Sequence, residues 1–580
     1  MLSKYGLNTL KTIKMLKKRN FLPEDFAINE WQSIESFYKN LEERPLNSLA
    51  ELRAWFRDRS EIESALSEEL AWRYIRMTCN TADEALQKSF NNFVSLIQPE
   101  VTKYTHILNQ KCLQNPFLND LEKQEGFDIT IRTLRKQAEI FREENIPLQT
   151  ELQIKEREYG AIAGAMTIWW QEQELTLQQA ANILEDQDRK LREKAYLAIQ
   201  NRRLQDKDTL DDLLSKLIQL RHQIALNAGF ANYRDYAFAA LGRFDYTPQD
   251  CFAFHEAVKQ TVMPLIEKLA LQRKKQMALE VLRPWDMQAD PTGLPALKAF
   301  KNSEELINNT IACLDDLHHF LGDTLKIMRE KGHLDLDSRK NKAPGGYNYP
   351  LAETGYPFIF MNATSNLRDL TTLLHEAGHA VHSVLCKDLE INTFKEPPAE
   401  VAELASMSME LISMPFWEHF FKNENDLKRA KKEHLEDLLM VLPWIACIDK
   451  FQHWLYENPY HSLQERQIAW NKIYTEFSPK IIDWTGLEQF KTYHWQKQLH
   501  IYEVPFYYIE YGFAQLGAIA VWQNCKKDLK KGLNAYLDAL SLGYTRSIPK
   551  IYQQAGIVFN FSKEYINKLM DFVEQEIQAI

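Results

Sequence analysis

Apolar residues recur at helical spacing along most of this chain. In "DTLDDLLSKLIQLRHQIALNAGF", Leu210, Leu213, Leu214, Leu217 and Ile224 follow the 3.6-residue period. Asp208 is expected to cap that helix and Gly229 to end it. The segment "LAELRAWFRDRSEIESALSEELAWRYIRM", within the first 150 residues, has similar character and carries no chemical motif. It reads as helical scaffold or lid. One region breaks the pattern. Three prolines and three glycines fall between Pro344 and Pro357, in "NKAPGGYNYPLAETGYP", so no helix is expected to cross it. The run "FIFM", Phe358 to Met361, follows and reads as a short strand. In a helical protein, such an isolated strand is a candidate edge for an extended peptide, which makes Phe360 a candidate substrate contact.

Composition sharpens this outline. The chain has 580 residues, 45% of them hydrophobic and 26% charged, which is ordinary for a globular protein. Only 19 residues are glycine, so long helices and few tight turns are expected. The net charge of −10 gives no electrostatic reason to expect nucleic acid or an anionic membrane as partner. The seven cysteines are odd in number, widely spaced and free of CxxC, which fits a reducing compartment, and the protein is expected to be cytoplasmic. The N-terminal "MLSKYGLNTLKTIKMLKKRN" is basic and mildly amphipathic, without the apolar core of a secretory signal. No run approaches 18 apolar residues, so no membrane span is expected.

The chemistry begins at "LLHEAGHAVHS", Leu373 to Ser383. On a helix, residues i and i+4 share a face, so His375 and His379 can aim two imidazoles at one point. Glu376 lies beside that point and can take a proton from water. This is the HExxH arrangement of zinc hydrolases. The competing reading is a solvated helix face with three histidines. Position 385 is leucine, so the third histidine of HExxHxxGxxH is missing. His382 does not fit that pattern and is read as a core residue or as a support to the ligands.

A catalytic zinc needs a third protein ligand and an open position. In "KEPPAEVAELASMSMELIS", Pro397 and Pro398 can open a helix that carries Glu400, Glu403 and Glu410 among apolar or small residues. Carboxylates on so apolar a helix need partners: lysines elsewhere, or a zinc. Glu403 is the choice as ligand, 24 positions after His379, with Glu410 or Glu400 orienting an imidazole.

The segments "FIFMNATSNLRDLTTLLHEAGHAVH" and "PAEVAELASMSME" resemble the thimet-oligopeptidase-like metallopeptidases, in particular the oligoendopeptidase F branch. "NAGFANYRDYAFAALGRFDYTPQDC" and "LRPWD" are similar to further segments of that branch. The resemblance implies a mainly α, two-lobed zincin-type fold with a small β-sheet and a deep substrate channel. It also implies one Zn2+ per chain and endopeptidase activity on short unstructured peptides. The segment "HIYEVPFYYIEYGFAQLGA" has the shape of the family's C-terminal His/Tyr segment. By that resemblance His500 and Tyr511 donate to the oxyanion, and Tyr507 or Tyr508 contacts substrate; taken alone, the aromatics there read as core packing. Gly345 and Gly346 can let backbone approach a peptide closely, or can be a plain surface turn.

The expected organisation is an N-terminal helical domain, 1–165, and a catalytic domain, 166–580, with zinc helices near 371–386 and 398–414. Two other functions stay open: a carboxydipeptidase resembling angiotensin-converting enzyme, and a helical binding protein with a vestigial motif. The oligomeric state is unknown from sequence.

Overall fold

A computed structural model describes residues 19–580, apart from 340 and 344. The basic amphipathic stretch of residues 1–18 and Pro344 lie outside the described residues. Helices dominate and the sheets are small. The chain divides into two compact units, each discontinuous in sequence. The first takes residues up to Phe141, then Phe300–Phe421 and Asn524–Val558. The second takes Arg142–Ala299, Lys422–Gln523 and Phe559–Ile580. The expected boundary at 165 falls inside the second unit.

In the first unit, the long helix Leu49–Cys79 begins at Ser48, whose side chain accepts from the Glu51 amide. Its apolar stripe, including Leu52, Trp55, Phe56 and Ile62, packs with Tyr38, Leu108, Phe127 and Ile131 into one core. Phe394, just before the candidate ligand helix, joins that core. Farther along the same long helix, Ala71 and Ile75 pack against Phe358 and Phe360. A three-stranded sheet lies there. Phe358–Ala363 is its central strand, parallel to Leu334–Asp337 and antiparallel to Tyr347–Tyr349. In register, Phe360 faces Asp335 on one side and Tyr347 on the other.

The second unit is built on the long helices Pro248–Gln276 and Glu424–Glu457. The helix Lys207–Asn227 belongs to it. Leu210, Leu213, Leu214, Leu217 and Ile224 are all buried, as their spacing predicts. The helix starts two residues earlier than expected, so Asp208 lies in its first turn rather than at its cap. Gly229, at φ +87°, follows its end. Among the described residues, no helix is long and apolar enough to cross a membrane.

Candidate metal centre

The helix Leu367–Cys386 carries the HExxH residues. Asn366 starts it by accepting from the Asp369 amide at 2.9 Å, and Asp369 answers by accepting from the Asn366 amide at 3.2 Å. This reciprocal cap fixes the first turn. The His375 and His379 rings then stand one turn apart, centroids 5.0 Å from each other and nearly perpendicular. Gly378 lies between them in sequence, on the side facing the helix Ala399–Ile412. A Cβ there would sit 2.5 Å from Ser406 Cα and 2.6 Å from the Ala405 carbonyl oxygen. The two helices therefore meet backbone against backbone, which only glycine permits. The second helix is itself tied down: the Tyr536 hydroxyl donates to the Ala405 carbonyl at 2.7 Å, and the Tyr552 hydroxyl to the Glu400 carbonyl at 3.1 Å.

That close approach brings Glu403 to the histidines. Its Oε2 lies 3.2 Å from His375 Nε2 and 3.5 Å from His379 Nε2. One ligand atom from each of the three residues falls within 4.8 Å of the others. Three ligands at zinc's usual ~2.0–2.1 Å, set tetrahedrally, would stand about 3.3 Å apart. Two neutral imidazoles and a carboxylate also suit zinc chemically, and a three-residue set leaves a position open. The donor set therefore fits the metal. Ser406 donates to Glu403 Oε2 at 2.9 Å and fixes the carboxylate. Glu410 Oε1 meets His375 Nδ1 at 2.7 Å, which turns the Nε2 side of that ring toward Glu403. Glu400 is buried on the same helix.

The electrostatics agree with the geometry. Burial alone would push the Glu403 carboxyl up and His375 down. Their mutual contact outweighs this: the histidines hold Glu403 well below the usual carboxylate range, and Glu403 and Glu410 hold His375 well above its usual value. Glu376 is different. Its Oε2 is buried and finds no hydrogen-bond partner, and burial pushes its carboxyl up despite the nearby histidines. It is thus a stronger base than an exposed glutamate. His382 is fully packed and burial pushes it down to about 3, so it stays neutral. It touches the Leu540 backbone, not the histidine pair's carboxylates, and belongs to the core.

The sheet corrects one expectation. The run Phe358–Met361 is no edge: it is paired on both sides. Phe360 is fully buried and stacks on Tyr347 at 4.7 Å, so it cannot contact a substrate. The two edge strands are Leu334–Asp337 and Tyr347–Tyr349. Asn348 on the second donates to the backbone carbonyl of Glu376 at 3.1 Å, which fastens that edge to the motif helix. Gly345, at φ +96°, and Gly346 lead into it, and a Cβ at Gly345 would meet nothing within 4 Å.

The His/Tyr segment lies in the second unit. Gln498 holds His500 Nδ1 at 2.7 Å, and Tyr511 OH lies 3.5 Å from His500 Nε2. The Tyr508 ring packs on His500 at 4.8 Å, and the rings of Tyr507 and Tyr508 lie 5.3 and 5.4 Å from that of Tyr511. All four residues are partly exposed, whereas Tyr502 is buried against Tyr159. The segment is pinned from behind by Arg243, which bonds the Phe506 carbonyl and pairs with the buried Glu510 at 2.7 Å.

Sequence reasoning passed over Asn348, Tyr536 and Tyr552. No local signal marks the tyrosines, whose partners lie 131 and 152 residues away. Asn348 sits within the quoted Gly/Pro-rich loop and could have been flagged there as a polar residue between two aromatics.

An HExxH helix crossed at glycine by a carboxylate-bearing helix defines a zincin-type metal centre in a mainly α protein. The chain belongs to peptidase family M3: the family model matches residues 182–571, and the Peptidase M3 N-terminal domain matches residues 21–141. Membership carries a metal cofactor with it. Among curated relatives, oligopeptidase PepF of Bacillus subtilis is 22% identical over 67% of this chain and 57% of its own length. An oligoendopeptidase F homolog of Lactococcus lactis is 23% identical over 70% of this chain and 66% of its own. The matched regions thus span less than two thirds of those relatives. Among solved structures, PZ peptidase A with an inhibitor superposes with a TM-score of 0.91, at 25% identity, over 97% of this chain and 99% of that one.

Proposed function

We propose that this protein is a zinc-dependent endopeptidase, with one catalytic zinc per chain, that hydrolyses internal bonds of short unstructured oligopeptides. The observation that carries this is the His375–His379–Glu403 cluster with the unpartnered, buried Glu376 beside it. His375, His379 and Glu403 hold the metal. Glu410 and Ser406 orient two of those ligands, through His375 Nδ1 and Glu403 Oε2. When bound, zinc supplies Lewis acidity to the scissile carbonyl and makes water a nucleophile at neutral pH.

The chain's own residues do the rest. Glu376 accepts the proton from the attacking water and passes it to the leaving amine. His500 and Tyr511 donate to the oxyanion as charge develops there, and Tyr507 or Tyr508 contacts the substrate. The edge strand Tyr347–Tyr349, entered through Gly345 and Gly346, offers backbone for an extended peptide to pair with. Edge pairing selects unfolded chains, because a folded domain would have to give up several kcal/mol of stability to present a free strand. All seven cysteines are free of disulfides, which supports a reducing, cytoplasmic setting.

The test is mass spectrometry of products from one peptide of roughly 5–20 residues, offered as free acid and as C-terminal amide. Casein and a compact globular protein are run alongside. Equal cutting of both peptide forms with the folded protein left intact is expected. Loss of cutting on amidation would replace this reading with a carboxydipeptidase.

A further inference from the structure

The second unit holds another cluster of ligating side chains, formed by two i, i+4 pairs. Cys251 and His255 lie one turn apart on Pro248–Gln276, and Asp449 and His453 one turn apart on Glu424–Glu457. All four are buried, none more than 3% exposed. One ligand atom each from Cys251, Asp449 and His453 falls within 4.8 Å of the others. His255 Nε2 meets Asp449 Oδ2 at 2.8 Å.

The cluster is not satisfied as a hydrogen-bond network. Asp449 Oδ1 and both ring nitrogens of His453 are buried without a hydrogen-bond partner. His453 Nε2 stands 3.3 Å from Asp449 Oδ2 without the alignment of a hydrogen bond. Two ligands on one tetrahedral ion stand about that far apart. A buried imidazole with neither nitrogen satisfied costs the fold its full desolvation penalty. Aromatic rings flank the cluster: those of Phe252 and Phe506 lie 4.7 and 5.3 Å from that of His453.

We infer that Cys251, Asp449 and His453 form a second, structural metal site for a zinc-like divalent cation, with His255 positioning the Asp449 carboxylate. The donor chemistry selects the ion. A thiolate, an imidazole and a carboxylate in a small buried cage suit zinc, whereas calcium or magnesium would take a shell of oxygens. Two facing helices, each giving one or more ligands from successive turns, are a common way to build such a site. The site also has a structural consequence. Gln452, between Asp449 and His453, accepts from the Phe506 amide, and Phe506 is held at φ +67° immediately before Tyr507 and Tyr508. A metal here would stiffen the floor on which the His/Tyr segment rests.

The experiment is metal analysis of the purified full-length protein, its Glu403→Ala variant and its Cys251→Ser variant, together with cobalt spectra of each. The His375–His379–Glu403 set contains no cysteine, so a sulfur-to-cobalt charge-transfer band reports the second site alone. Expected are two metals per chain in the wild type and one in each variant. The band should be present in the wild type and Glu403→Ala, and lost in Cys251→Ser. Circular dichroism checks that Cys251→Ser is folded, and the other two proteins test the site whether or not it is. One metal per wild-type chain with no thiolate band overturns the inference. One metal with the band supports it and moves the failure to the HExxH site.

Discussion

Replacing Gly378 by alanine should damage the metal centre without touching any ligand. The added Cβ would stand 2.5 Å from Ser406 Cα and 2.6 Å from the Ala405 carbonyl oxygen. Carbon atoms in contact prefer about 3.5–4.0 Å, so the methyl intrudes by about 1 Å. Both obstacles are backbone, and no side chain can rotate away. The two helices must separate, and such overpacking costs about 1–3 kcal/mol, against which alanine's better helix propensity returns about 1 kcal/mol. Zinc binding must pull Glu403 back to the histidines, so part of the strain appears as lost affinity. The net cost is thus about 0–2 kcal/mol, and at 1.4 kcal/mol per tenfold about 5-fold weaker binding is expected, with up to ~25-fold at the limit. The assay is zinc titration against a chromophoric chelator, with thermal unfolding of the metal-free protein. Gly160→Ala is the control. That helical glycine has nothing nearer than Glu503 Oε1 at 3.6 Å, so the same change there should stabilise by about 0.5–1 kcal/mol and leave zinc affinity alone. Native zinc affinity and native unfolding temperature in Gly378→Ala would refute the backbone-contact reasoning.

Four other predictions concern the chemistry. Glu376→Gln should keep its zinc and lose about 10²–10⁴-fold in kcat; near-normal turnover would remove Glu376 as the base. Glu403→Ala should lose zinc and activity together, whereas Glu410→Gln should weaken zinc binding only about 10–100-fold; full occupancy in Glu403→Ala, by metal analysis, would move the ligand elsewhere. That same contact sets a pH dependence. His375 must shed its proton to bind metal, and Glu403 and Glu410 hold that proton to above the usual histidine range. Zinc affinity should therefore fall as pH drops through that raised value, and Glu410→Gln should shift the fall to lower pH; a fall confined below pH ~6 in the wild type would contradict the sign. Tyr511→Phe should lower kcat about 10²–10³-fold with KM nearly unchanged, and a normal kcat there with a loss in Tyr507→Phe or Tyr508→Phe would reassign the donor.

What the sequence could show depended on distance along the chain. The histidine pair was legible because i, i+4 geometry is local, and the ligand helix because Pro397 and Pro398 announce its start. Glu403 was chosen among three carboxylates by its distance along the chain, since nothing local says which of them meets the histidines; the crossing at Gly378 brings Glu403 to 3.2 and 3.5 Å from their Nε2 atoms. The strand Phe358–Ala363 was found but misplaced. Its parallel neighbour, "LDLD" at Leu334–Asp337, is half acidic and reads as loop, so the strand's second partner was invisible. Two lobes were expected from the resemblance, but the three-segment make-up of each compact unit was hidden for the same reason: periodicity carries no record of which helices pack across hundreds of residues. Cys251/His255 and Asp449/His453 were each visible as helical pairs, but only the fold brings the two helices together.

The most direct test of zinc-dependent endopeptidase action uses one peptide blocked by N-acetyl and C-amide groups, incubated with the protein before and after chelator treatment. Cleavage at an internal bond is expected, with its loss when metal is stripped and its return when zinc is added back. Failure to cut the blocked peptide, or cutting that survives complete removal of metal, would contradict the proposed function.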